Sequence, residues 1–248
     1  MMCTGLSPVR FKRVLAALVL AIIGAARPGL YLRAADNRYD WKLTLGEYFY
    51  SSYSGSDVNL RWRNAGTDAW FGVYSDPVFG TQWRTGADTS WQLTKYLQVQ
   101  PSLQLASGGF LGGSVNLQIG ADWYGIAGIG RTDARPYFNL NFDPNDALTL
   151  GVCHSQDNGW IYSAFVVADN RFHTGQRDWH ANAQIPFGGT HATVDVLYKS
   201  GLSDAGRIKG WGGSLNYDWS RWFARLAFDP NQNFSAQSAW RLAGGMRF

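Results

Sequence analysis

The chain closes on AWRLAGGMRF, Ala239 to Phe248. Trp240, Leu242, Met246 and Phe248 fall at even positions, Arg241 and Arg247 at odd ones. On a helix Arg241 and Phe248 would share a face, because seven residues are nearly two turns. On a strand the apolar and basic side chains separate to opposite faces. Chain ends are ordinarily frayed and polar. This one alternates to its last residue, so it reads as a strand built into a sheet.

The same period of two recurs upstream. Leu97, Val99, Leu103 and Leu105 alternate with Gln98, Gln100, Ser102 and Gln104. Val115, Leu117 and Ile119 alternate with Asn116 and Gln118, and Ala192, Val194 and Val196 with Thr193 and Asp195. Such segments form strands with one apolar and one polar face. Turn signals separate them. Asp143-Pro144-Asn145-Asp146 and Asp229-Pro230-Asn231 suit type I turns, with Asp first and Pro second. The pattern predicts an all-β, antiparallel fold of about fourteen strands, with twelve as the alternative and short turns and loops. Among these strands are 79–93, 111–131, 136–142, 146–154, 190–199 and 237–248. Stretches 54–56, 64–67 and 199–206 read as loops, and no long segment reads as a plug.

Charged residues make up only 16% of the chain, against the roughly 25% usual in soluble domains. Aromatic residues make up 15%, yet mean hydropathy is slightly negative. The one long apolar run, Val14 to Ile23, follows Arg10, Lys12 and Arg13 and precedes Gly24-Ala25-Ala26. That is the three-part form of a secretory signal peptide, too short to span a bilayer as a helix. Cleavage after Ala26 is expected, leaving 27–248 as a single domain. It would remove Cys3, so Cys153 would have no disulfide partner. It would also take the formal charge from +4 to about +1 by removing Arg10, Lys12 and Arg13. Nucleic acid is therefore not an expected partner.

Two folds alternate in this way. A soluble β-sandwich buries its apolar face, whereas a transmembrane barrel turns it to lipid and lines its lumen with polar groups. Several segments here run ten residues or more in one register, as membrane strands do. Trp91, Trp219 and Trp222 sit beside tight turns, and Trp240 and Phe248 lie eight residues apart on one face. At a tilt near 40° that spacing covers roughly 20 Å, close to the apolar band of a barrel. The polar face then supplies the lumen: Lys42, Arg61, Arg63, Arg84, Lys199, Arg225, Arg241 and Arg247 with Asp88, Asp122 and Asp195, and the amides Gln98, Gln100, Gln104 and Gln118. Asp218 joins them, which leaves a modest positive excess.

A last strand that ends on an aromatic residue resembles the closing strand of bacterial outer-membrane β-barrel proteins. In that class Trp240, Leu242, Met246 and Phe248 match the segment read by the assembly machinery, and Gly244 is a gap in the pattern. The resemblance reaches the class and no specific family. It implies residence in the bacterial outer membrane, with outer-membrane lipid and the assembly machinery as partners and small polar or anionic solutes as possible cargo.

No metalloprotease, P-loop or paired-cysteine motif occurs, and no cofactor or metal is expected. Gly125-Ile126-Ala127-Gly128-Ile129-Gly130 reads as small residues in a closely packed strand. Outer-membrane lipid hydrolases place His and Ser two residues apart, on one strand face. His154 and Ser155 are adjacent, so they point to opposite faces. His191, Thr193 and Asp195 share a face but offer Thr in place of Ser. His173 and His180 fall on separate elements. The leading expectation is a passive pore or other non-catalytic envelope component. A packed structural or binding barrel, a lipid-modifying hydrolase and a secreted β-sandwich stay open beside it.

Overall fold

The computed structural model describes residues 39–133, 135, 140, 143, 145–171, 173–203 and 206–248. The expected signal peptide, residues 1–26, and its expected cleavage site lie outside them, as does most of 136–142. Fifteen strands run in chain order. They are β1 (Trp41–Tyr50), β2 (Ser54–Asn64), β3 (Thr67–Asp76), β4 (Gly80–Thr89), β5 (Trp91–Thr94), β6 (Leu97–Ala106), β7 (Phe110–Gly120) and β8 (Trp123–Thr132). There follow β9 (Ala147–Ser155), β10 (Ile161–Asp169), β11 (Arg177–Phe187), β12 (Thr190–Ser203), β13 (Gly206–Trp219), β14 (Trp222–Asp229) and β15 (Ala239–Arg247). Each is antiparallel to its neighbour. β4 and β5 both pair with β6, so they are two halves of one stave and the wall is a closed barrel of fourteen.

Closure joins the two ends of the described chain. β15 pairs with β1 from Lys42↔Arg247 to Tyr50↔Ala239. Beyond that ladder the Trp41 amide donates to the Phe248 carbonyl, and the Phe248 amide to the Trp41 carbonyl, both at 3.0 Å. The last residue is therefore paired, which explains why alternation runs to it.

The apolar face points outward. Trp41 and Leu45 are exposed on β1, while Thr44, Tyr48 and Tyr50, at positions of the opposite parity, are buried. On β12 exposed Val194 and Val196 alternate with buried Thr193, Asp195, Leu197 and Lys199. Outward aromatic residues form two rings. Trp179 and Phe187, Trp211 and Trp219, and Trp240 and Phe248 each lie eight residues apart on one strand. Three strands thus repeat the spacing of roughly 20 Å that an apolar membrane band requires.

The two ends of the barrel differ. At the end that carries the termini, turns are tight, as at Ala65-Gly66 and Gly188-Gly189, where φ is positive. At the far end lie the longer connections 133–146, 170–176 and 230–238. Outer-membrane barrels have short periplasmic turns and longer extracellular loops.

The structure corrects four expected elements. Segment 111–131 is two strands, because the chain reverses at Ala121 and Asp122 and β7 pairs with β8. β8 then pairs directly with β9, so the segment from 133 to 146 is a connection and not a wall strand. β12 continues through Lys199 to Ser203, where a loop over 199–206 was expected, because Arg177 to Ser200 and Ser200 to Lys209 stay in register with β11 and β13. Residues 54–56 belong to β2.

Candidate functional site

Among the described residues, charges of both signs converge on the inward face of the barrel, which changes character along its length. At the terminal end the mouth is basic and wet. Arg63 makes a two-pronged contact with Asp68, at 2.7 Å through both Nε and Nη2, and Arg61 approaches the same carboxylate at 3.9 Å. The side chains of Arg61 and Arg63 are 31% and 37% exposed although they point inward, so the passage beside them is open. Opposite them, Lys42 and Arg247 lie over the Phe223 ring, at 4.0 and 5.1 Å. Asp218 receives Arg247 and, at 3.1 Å, His191. Gln98 and Gln118 are directly opposed on β6 and β7, and Gln100 donates to Asp88 at 3.0 Å.

Midway up, one carboxylate collects two arginines. Asp57 is fully buried and takes Arg84 at 2.7 Å and Arg241 at 3.7 Å. Arg241 also lies 4.9 Å over the Tyr48 ring, and buried Arg225 stands opposite Ala243, two residues along β15 from Arg241.

Toward the far end, a described residue of the β8–β9 connection enters the barrel. Leu140, from the 133–146 connection, is buried in one cluster with Tyr48, Tyr50, Tyr74 and Ala239. Those partners stand on β1, β3 and β15, across the barrel from β8 and β9. Fourteen staves about 4.8 Å apart and tilted near 40° enclose a diameter of roughly 28 Å. Residues 133–140 in extended form reach roughly 24 Å, enough to bring a leucine side chain to the tyrosine tips opposite. Leu140 therefore lies inside the lumen, against the wall opposite β8 and β9. Gly130 permits the connection's departure, since a Cβ there would collide with the Asn145 carbonyl.

Among the described residues of this connection, Asp143 and Asp146 make polar contacts outside it. Asp143 accepts from His180 Nε2 at 2.9 Å, while His180 Nδ1 faces Asp195 at 3.0 Å. An imidazole that serves a carboxylate at each nitrogen must carry both protons. His180 is thus a cationic clasp, with the Phe165 ring stacked on it at 4.6 Å. Beside it Lys199, wholly buried, lies 2.7 Å from Asp229 and 3.7 Å from Asp178. Phe234 from the 230–238 connection covers its ammonium at 4.9 Å. At the rim Asp146 accepts from the Thr132 amide and hydroxyl at 3.0 and 2.6 Å and from Arg171 at 2.8 Å.

Burial opposes ionisation of Asp146, but the Thr132 and Arg171 hydrogen bonds outweigh it and hold its pKa below the usual carboxylate value. A depressed carboxylate pKa stabilises the fold above the unfolded value, near 4, and that contribution is lost as pH falls through the folded one. The grip of Asp146 on Thr132 and Arg171 should therefore weaken only below about pH 4. Ion current through the reconstituted barrel should rise reversibly in that window, and Asp146→Asn should abolish the step.

The expected lumen residues fall as follows. Lys42, Arg61, Arg63, Arg84, Asp88, Gln98, Gln100, Gln104, Gln118, Asp195, Lys199, Arg225, Arg241 and Arg247 stand at inward positions of their strands. Asp122 does not. It lies in the β7–β8 turn at the terminal end, where its carbonyl accepts from the Ser155 amide at 2.8 Å. The positive excess is also corrected. Asp57, Asp68, Asp76, Asp178 and Asp229 are buried on the inward face as well, so carboxylates match the basic residues along the strands. Their signal was weak because most lie at strand ends, and Asp229 resembles the first residue of a turn. Trp91, Trp222, Trp240 and Phe248 are exposed on the outer surface, and Trp219 is half-buried there, paired in register with Trp222. Leu242 and Met246 share that face.

His154 points outward and stacks on Trp123 at 4.3 Å, while Ser155 faces inward. Both nitrogens of His180 are engaged by carboxylates, leaving neither to activate a hydroxyl. His173 lies in the β10–β11 connection, away from β11. Cys153 is buried on the inward face with Ile126 and Ile161.

No family model matches the chain, and no curated sequence does. Solved structures do match in shape. The outer membrane protein Omp33 of Acinetobacter baumannii superposes with a TM-score of 0.55 at 8% identity, covering 86% of this chain and 100% of that one. The KdgM porin superposes less well, with a TM-score of 0.43 at 14% identity over 84% of this chain and 99% of that one. The Omp33 likeness, the closed fourteen-stave wall and the paired aromatic rings converge: the chain has the fold of the bacterial outer-membrane β-barrels.

Proposed function

We propose that the protein is an integral outer-membrane barrel that acts as a passive, non-catalytic pore for small polar and anionic solutes, narrowed by Leu140 and Asp143 inside its lumen. The observation that carries this reading is the half-exposed inward face at the terminal mouth. There Lys42, Arg61, Arg63 and Arg247 outnumber Asp68 and Asp218 among groups in mutual reach. Such a mouth concentrates anions, while the matched charges above it hold water without trapping one ion. Separate placement of His154 and Ser155 supports the absence of hydrolase chemistry.

Planar-bilayer recording of refolded protein tests the proposal. Discrete conductance, larger toward chloride than toward potassium, is expected. A silent membrane would favour the second reading, a packed structural or binding barrel, which draws support from the full burial of Asp178, His180, Gln184 and Lys199.

Export by the leader and delivery through Phe248 belong to the same proposal. Deleting Phe248 removes two closing hydrogen bonds and the aromatic end of the terminal pattern. Folded, heat-modifiable barrel in the outer-membrane fraction should drop severalfold. Undiminished levels would refute a role for that residue in delivery.

A further inference from the structure

The outer surface carries a feature that a pore has no use for. On β11, β12 and β13 the residues Trp179, Tyr198 and Trp211 stand opposite one another in a single outward row, and Tyr198 packs on Trp211 with ring centroids 4.9 Å apart. Two residues farther from the termini, the next outward row is Arg177, Ser200 and Lys209. Arg207 follows on the same face of β13, opposite Leu202. Arg177, Arg207 and Lys209 are all exposed. None of them makes an ion pair or hydrogen bond with a described residue. No carboxylate stands on the outward face of β11, β12 or β13, because Asp178, Asp195 and Asp218 all turn inward.

The basic row is placed at a defined depth. An interfacial aromatic ring marks the headgroup level. Two residues along a strand tilted near 40° add roughly 5 Å along the membrane normal. Arg177 and Lys209 stand two strand spacings apart, roughly 10 Å across the surface. We infer that Arg177, Arg207 and Lys209 form a docking surface for the phosphorylated headgroup of an anionic glycolipid in the outer leaflet, whose acyl chains lie along Val194, Val196 and Leu215 below the aromatic row. Charge complementarity selects this occupant. Three cations at headgroup depth, with no partner among the described residues, attract phosphate, and a guanidinium binds it in two-pronged fashion. The apolar rows beneath accept acyl chains, which a free anion lacks. The inference rests on the membrane-spanning reading and is independent of conductance, so a barrel that passes no current leaves it intact.

Native mass spectrometry of the detergent-folded barrel tests it, with bisphosphorylated lipid A as the probe and phosphatidylglycerol and inorganic phosphate as comparators. Lipid A should be retained preferentially. The triple variant Arg177→Gln, Arg207→Gln, Lys209→Gln should bind it on the order of a hundredfold more weakly, at about fivefold per cation near an anionic lipid surface. The paired variant Lys95→Gln, Arg221→Gln, at the other rim, should bind like wild type. Heat-modifiable mobility reports whether the triple variant folds. Should it not, single variants carry the test, each losing about fivefold. Equal retention by the triple and paired variants would overturn the proposal. So would competition by millimolar inorganic phosphate, which would mark an adventitious ion only, or equal binding of phosphatidylglycerol, which would mark generic lipid contact.

Discussion

Replacing Lys199 by methionine should cost the folded barrel about 3–5 kcal/mol, the usual loss when one partner of a buried charge cluster is removed. Its side chain is fully buried, and Asp229 and Asp178 beside it are buried as completely. Neither oxygen of Asp178 has a hydrogen-bond partner, so the ammonium is what tolerates that carboxylate in the interior. Methionine fills the volume and keeps contact with Phe234, which isolates the electrostatic loss from a cavity. The midpoint of urea unfolding in vesicles, followed by gel mobility, measures the effect. Asp178→Asn added to Lys199→Met should recover a substantial part, because it removes the stranded charge. Strict additivity of the two substitutions would show that the pair is not coupled.

The second large effect concerns the clasp. Asp143→Ala should free the connection from His180 and raise the open fraction of the reconstituted barrel by roughly tenfold or more. A hydrogen bond between charged groups is worth about 1.5–3 kcal/mol, which shifts a two-state population by that factor. His180→Gln should act in the same direction, since a neutral amide can serve Asp195 or Asp143 but brings no charge. Both variants leave the wall strands paired, so heat-modifiable mobility should stay near that of wild type. Current traces identical to wild type would mean that segment 133–146 does not limit the passage. This outcome is distinct from a silent wild-type barrel, which bears on the pore proposal itself.

Parts of this arrangement were legible in the residues alone. AWRLAGGMRF alternates to its end because both faces of the last strand are fully engaged, lipid outside and Arg241 and Arg247 inside. Even the absence of an aligned His–Ser pair followed from adjacency at 154 and 155. Other parts misled. Residues 136–142 alternate as a wall strand does, yet the wall closes without them. Alternation records period two along the chain, and does not by itself say which neighbour a segment would pair with; β8 pairs directly with β9. Asp229 was read as a turn residue because Pro230 and Asn231 follow it, although its carboxylate completes the Lys199 cluster.

The division has a physical cause. Period, strand length and the eight-residue aromatic spacing depend on neighbours along one strand, and one strand's environment is written in its own residues. They determined a barrel with lipid outside and polar groups within. Which carboxylate meets which cation depends on register between strands as remote in sequence as Asp57 and Arg241, and a slip of one residue would reverse every side chain. Likewise, nothing near Leu140 announces that its partners are Tyr48, Tyr50 and Tyr74. Only closure of the barrel brings β1 and β3 opposite the connection between β8 and β9, and so only the tertiary structure decided the matched lumen charge and the burial of Leu140.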